Sequence, residues 1–292
     1  MVKREHLREL AKISKQIGEN PAYVQGGGGN TSVKFGDKQM AVKSSGLTLK
    51  EVTEIDGYSV VDFKAINSYL NNPDEDENDF TQKIRSFVIE TDNRPSIETG
   101  FHALLGIYVI HTHSVYVNVL TCSVEGREII NRLFPQDLWV DYKTPGKELT
   151  IEIKNKIRTS GDECKAVFLQ NHGLIVWEKT ADQVFNIHEE ISNKIRQHLD
   201  LIEFDVEEET NQLFNIHDSN ILFPDQVIYT MAGEDILSTQ GAKETISAYG
   251  YILSNIKMHS LTPRFVSKNE SKVLLGMESE KFRQKVIKDE IH

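Results

Sequence analysis

Apolar residues near the N-terminus recur at helical spacing. Leu7, Leu10, Ala11 and Ile17 fall on one face of residues 3–18, which predicts an amphipathic helix. The period then changes. Ser32-Val33-Lys34-Phe35 and Met40-Ala41-Val42-Lys43 alternate around Gly36-Asp37, the signature of a β-hairpin. A strand is expected at Tyr58–Asp62 and a helix over 64–71, followed by an acidic loop, "NNPDEDENDF", at 71–80. "SIETGFHALLG" reads as a helix with Ser96 at its cap and Glu98 in its first turn. "IYVIHTHSVYVNVL" opens a β-rich run, and "LWVDY" and "KAVFLQNHGLIVW" supply further strands. "TADQVFNIHEEISNKIRQHLDLI" predicts a long helix capped by Thr180 or Asp182. Beyond about residue 203 the pattern is loop-rich, with short strands and a final charged helix near 278–290. A boundary near 205 would divide a main domain, 1–205, from a small C-terminal extension, 206–292.

Composition narrows the class. The chain has 292 residues, 39% hydrophobic and 26% charged, which suits an ordinary globular protein with ample core. No run of eighteen apolar residues is present, and "MVKREHLREL" lacks the apolar stretch of a signal peptide. Cys122 and Cys164 form neither a disulfide framework nor a metal spacing, so a reducing, cytoplasmic setting is expected, with no membrane partner. A net charge of −11 argues against nucleic acid as a partner. It leaves room for a small anion held by backbone N–H groups and one or two local cations.

The densest chemistry lies in His111-Thr112-His113. Residues i and i+2 of a strand share a face, so two imidazoles there can share one ion. His172, at the end of another apolar strand, makes a third. Three histidines with an open position describe a catalytic metal site, most often zinc. Each has an ordinary reading too, since paired strand histidines are commonly packing. Glu98 alone would be a helix-dipole carboxylate and Ser96 an N-cap.

The blocks "QGGGGNTS" (25–32), "KSSG" (43–46), "RPSIETGFHALLG" (94–106), "VIHTHSVYVNVLT" (109–121) and "FLQNHGLIVW" (168–177) together resemble the class II aldolase/adducin family over residues 5–200. "VQGGGGNTSVK" is most similar to the aldolase part of bifunctional rhamnulose-1-phosphate aldolase/dehydrogenase proteins. No G-x-G-x-x-G opening a βαβ unit is present, so a dehydrogenase half is not expected in this chain.

The resemblance implies an α/β fold: a three-layer α-β-α domain around a mixed, mostly antiparallel sheet. It also implies a homotetramer. By that likeness His111, His113 and His172 would hold zinc or another divalent metal, and Glu98 would be the acid/base group. Gly28, Gly29, Asn30, Ser44, Ser45, Gly46 and Ser96 would grip a substrate phosphate. Family aldolases use a tyrosine from a neighbouring subunit; Tyr142 and Tyr116 are the candidates here. Lys43 would add charge at the phosphate or simply be solvated. The implied activity is cleavage of a phosphorylated sugar, a ketose 1-phosphate of rhamnulose or fuculose type, to dihydroxyacetone phosphate and an aldehyde. A sugar-phosphate dehydratase or epimerase on the same scaffold is the alternative. An adducin-like interaction module would lack the three histidines.

Overall fold

The computed structural model describes residues 2–291 except 74, 75, 92, 207–219 and 231–233. Eight strands form one sheet: β1 Asn30–Phe35, β2 Gln39–Lys43, β3 Tyr58–Asp62, β4 Val88–Glu90, β5 Tyr108–Thr112, β6 Leu138–Val140, β7 Ala166–Leu169 and β8 Gly173–Glu178. Their order is β4-β3-β2-β1-β5-β8-β7-β6. Every neighbouring pair is antiparallel except β6 with β7.

Side-chain alternation decides the layers. Val33, Ala41, Ile110, Phe168 and Val176 face helices α1 (Val2–Gly18) and α8 (Ala181–His198), against Leu10, Ile13, Val184 and Ile191. The intervening Val109, Val167 and Ile175 face α4 (Thr99–Leu104) and α7 (Lys147–Ile157), meeting Phe101, Leu149 and Ile153. Met40, Val42 and Val61 meet Ile66 of α2 (Phe63–Tyr69) and Phe80 of α3 (Glu77–Ser86). Each such side chain contributes roughly 1.5–3 kcal/mol on burial. The fold is the expected α/β arrangement of a mixed, mostly antiparallel sheet between helical layers.

Three local expectations change and one alternative is decided. The acidic stretch 71–80 is not loop throughout: the Asp76 carboxylate accepts from the N–H groups of Asn78 and Asp79 and starts α3. A cap and first-turn acids complement the helix dipole, so acidity here marks a helix start. Helix α4 begins two residues late. Glu98 is its N-cap residue and makes no capping bond, while Ser96 Oγ accepts from the Glu98 N–H at 3.2 Å. The β-rich run stops at Thr112 and becomes α5, Val115–Thr121, after Ser114. Thr180, rather than Asp182, caps α8, accepting from Gln183 N–H.

The expected short strands of the C-terminal part are absent among the described residues. Helices Pro224–Thr230, Glu234–Leu237, Gln240–Met258, Lys268–Gly276 and Glu278–Ile291 stand there, with only the single bridge Ile221↔Val266 between them. Ala242, Thr245, Ala248, Tyr251, Ile252 and Ile256 are buried at helical spacing on Gln240–Met258, a pattern that outweighs its β-branched residues. Leu222, Phe223, Tyr251, Ile252 and Ile256 join the same core as Val115 and Tyr116. The segment beyond 205 is thus packed into the main body and adds small apolar clusters of its own.

Candidate active site

Backbone pairing assembles the site. Antiparallel β1 and β5 place Asn30 opposite His111, and β5 and β8 place His111 opposite Ile175. The β7–β8 turn, with Asn171 at φ 54°, presents His172. Asn118 of α5 donates to the carbonyls of both His113 and His172, at 3.4 and 3.3 Å, tying the two segments together. His113 lies just past the end of β5 yet still meets His111.

The three imidazoles form a near-equilateral set, with ring centroids 4.9–5.0 Å apart. One ligand nitrogen from each lies within 4.8 Å of the others. His111 Nδ1 donates to the Leu174 carbonyl at 2.9 Å, and His113 Nδ1 donates to the Asp225 carboxylate at 2.7 Å. Both acceptors lack hydrogens, so in its neutral form each ring carries its lone pair on Nε2. Those two Nε2 atoms are 3.1 Å apart. Glu98 closes the set, with Oε2 3.5 Å from His111 Nε2 and Oε1 3.3 Å from His172 Nε2. All four side chains are buried, and Glu98 Oε1 has no hydrogen-bond donor among the described residues. Burial, reinforced by the neighbouring His111 and His113, holds His172 well below the usual histidine range. Burial likewise lowers His111, with Glu98 opposing. Neutral imidazoles with converging lone pairs, facing a carboxylate oxygen that lacks a donor, suit one divalent cation.

Asn30 orients Glu98. Its Nδ2 donates to Glu98 Oε2 at 2.6 Å and to Ser96 Oγ at 3.3 Å, and its Oδ1 accepts from His102 Nε2. His102 is set in turn by Ser32 Oγ on its Nδ1, at 2.7 Å. Both amide hydrogens of Asn30 are therefore engaged within the protein.

A small cavity of about 40 Å³ adjoins these groups, lined by Gly28, Gly29, Asn30, Ser45, Gly46 and Ser96 among others. That is room for about three waters. Ser44 does not line it; its hydroxyl meets Ser59 at 3.3 Å. Tyr142 does not reach it either. It packs beside Ile97 and Leu275 at a C-terminal apolar cluster, its buried hydroxyl without a partner among the described residues. Tyr116 stands elsewhere, accepting from Phe204 N–H under the Arg196 guanidinium. Lys43 is buried, not solvated. Its Nζ donates to Gly27 O at 3.1 Å, and burial, then Arg283, pushes its ammonium down to about 7.

Sequence reasoning missed the opposite wall, which comes from the C-terminal segment: Pro224, Asp225, Ser279, Glu280 and Arg283. That segment also occupies the glycine loop. Gly27 N–H donates to Tyr229 Oη at 2.8 Å and Gly26 N–H to Glu244 Oε2 at 2.9 Å, while Gly28 N–H turns back to Gln25 O. No local pattern announces Asp225, Tyr229 or Glu244, because their partners in the site lie 112 to 218 positions away.

The family described as Class II Aldolase and Adducin N-terminal domain matches residues 8–199. The chain belongs to this family. Its class II aldolase/adducin portion is similar to Uncharacterized oxidoreductase YuxG of Bacillus subtilis, 27% identical over 212 residues. That match covers 66% of this chain and 30% of the Bacillus protein, so the chain spans under a third of that relative. It is also similar to Methylthioribulose-1-phosphate dehydratase of Microcystis aeruginosa, 25% identical over 187 residues, covering 56% of this chain and 80% of that one. The N-terminal Class II Aldolase domain of a conserved Thermoplasma acidophilum protein shares the fold, with a TM-score of 0.60 and 22% identity over 65% of this chain and 92% of that chain. Asp225 and Arg283 fall outside the family match. Among the described residues no helix is long and apolar enough to cross a membrane.

Proposed function

We propose that this class II aldolase/adducin chain is a divalent-metal-dependent aldolase, zinc being the expected ion. It would reversibly cleave a ketose 1-phosphate to dihydroxyacetone phosphate and an aldehyde. One observation carries the reading: ligand nitrogens of His111, His113 and His172 lie within 4.8 Å of one another, and the Nε2 atoms of His111 and His172 face the buried, incompletely paired carboxylate of Glu98. An adducin-like interaction module has no use for such a cluster.

His111, His113 and His172 would hold the ion. When bound, it supplies Lewis-acid stabilisation for the negative charge that develops on the substrate's carbonyl oxygen. Glu98 Oε1, free of hydrogen bonds, is the proton carrier at the carbon next to that carbonyl. Asn30 fixes the other oxygen, Oε2, and so aims Oε1. Lys43, Ser45, Gly46 and Ser96 border the cavity where a phosphate would bind, with Gly28 and Gly29 allowing close backbone approach. The cavity is far below the ~300–1,000 Å³ usual for ligand sites, so a sugar phosphate enters as the C-terminal wall gives way. The group that takes the hydroxyl proton of the cleaved carbon, and returns it to the aldehyde oxygen in condensation, is assigned to no tyrosine of this cavity; a neighbouring subunit in a tetramer is the expected source.

The dehydratase alternative keeps standing because two curated relatives carry that name at 25% identity. Both readings move a proton at the carbon beside a ketone, the dehydratase as it eliminates water and the aldolase on the dihydroxyacetone phosphate side of its reaction. Incubating the zinc-loaded protein with dihydroxyacetone phosphate in D₂O separates them. Exchange of one carbon-bound proton supports the aldolase. No exchange, together with water loss from a ketose 1-phosphate, supports the dehydratase and overturns the aldolase.

A further inference from the structure

The family-matched portion of the chain supplies all three histidines, yet one of them is set by a residue far outside that portion. His113 Nδ1 donates to Asp225 Oδ2 at 2.7 Å, and both side chains are buried. The other oxygen of Asp225 accepts from Arg283 at 2.8 Å, and Arg283 also meets Glu280 at 3.2 Å. Burial alone would raise the Asp225 carboxyl, but Arg283 and His113 hold it well below the usual carboxylate range. Gly28 lies against this pair. A Cβ there would stand 2.3 Å from Asp225 Oδ2 and 2.9 Å from His113 Nδ1, so only glycine admits the contact.

We infer that Asp225 is a positioning residue for the metal centre, through which the C-terminal segment orients His113 and makes its Nε2 a better donor. The inference rests on the metal reading above. Its physical basis is general. A metal-bound histidine needs its second nitrogen fixed, and a carboxylate there sets the tautomer, aims the ring and raises the basicity of the ligand. Arg283 keeps the carboxylate from rotating away, and the missing side chain at Gly28 gives it room. The glycine run thereby gains a second role: Gly26 and Gly28 make way for Tyr229 and Asp225 of the C-terminal segment.

The test is metal affinity of the full chain, read with Co²⁺ and Zn²⁺ by chelator competition and by the Co²⁺ absorption spectrum. Asp225→Asn is expected to bind ~10–100-fold more weakly than wild type, the usual cost of losing such a partner. Gly28→Ala should weaken binding by a comparable factor, although it leaves every ligand and Asp225 in place. The melting temperature of each metal-free variant separates this loss from unfolding. If Asp225→Asn does not fold, the wild-type protein carries the test: loaded with metal, it should show a slowly exchanging His113 Nδ1 proton in the NMR spectrum. Wild-type affinity in both variants, or no such proton, overturns the role of Asp225 while leaving the three-histidine centre intact. A wild type that binds no metal, or binding that survives His113→Ala, overturns the metal reading and this inference with it.

Discussion

The two ends of the cavity are built differently. At the metal end, three ligands and Glu98 come from positions 98–172, held by sheet register and one tight turn. At the glycine end, the chain's own C-terminal segment supplies the facing wall and takes up two of the loop's N–H groups. The first is assembled by the sheet and the segments that adjoin its strands. The second is an interface between distant parts of the chain, and the amides of Gly26, Gly27 and Gly28 already have partners. A glycine-rich run is therefore no sufficient sign of an anion cradle; the same absence of side chains serves close approach of other protein groups.

The largest effect falls at the metal end. His172→Ala removes a ligand and should abolish stoichiometric binding, a larger loss than the ~10–100-fold expected for an outer partner. Tight binding without His172 would break the contrast between the two ends. Glu98→Gln should keep the metal and lower proton exchange by ~10²–10⁴-fold. Exchange at the wild-type rate would remove Glu98 from the chemistry.

Effects at the glycine end are smaller and depend on pH. Lys43 has its ammonium pushed down to about 7 by burial and Arg283, with Asp225, Glu98 and Glu51 pulling the other way. In the unfolded chain a lysine titrates near ~10.4. Between these values the unfolded state holds the extra proton, so stability rises with pH. The full contribution is present above ~10.4 and is lost as pH falls toward about 7. Urea unfolding of wild type and Lys43→Met should diverge across that window, by at most ~1.4 kcal/mol per pH unit. Parallel curves would mean that Lys43 is not buried. The smallest change is Tyr142→Phe. Its hydroxyl is buried at an apolar cluster of its own chain, out of reach of this cavity and of a neighbouring subunit's, so turnover should change less than ~2-fold, within the ~0.5 kcal/mol of a neutral substitution. A large loss would restore Tyr142 as the acid.

Much of this was legible in the sequence. Alternation in "VKF" and "MAVK" gave β1 and β2, and the His111-Thr112-His113 spacing put two imidazoles together, because both follow from short-range backbone geometry. His172 and Glu98 joined them through the family resemblance, and the helix at Glu98 begins two residues later than expected, since Ser96 and Asn30 hold this stretch for the site. Asp225, Tyr229, Glu244 and Arg283 were not legible. Each reads locally as an ordinary surface or helix residue, and only packing of the C-terminal helices brings it to the site. Lys43 was left between two readings for the same reason: its burial close to Arg283 depends on distant packing.

The most direct measurement is anomalous diffraction at the zinc edge from crystals of the zinc-loaded protein. The account predicts a single strong peak bonded to the Nε2 atoms of His111, His113 and His172. No peak there, or a peak among Asp225, Glu280 and the glycine loop instead, would contradict it.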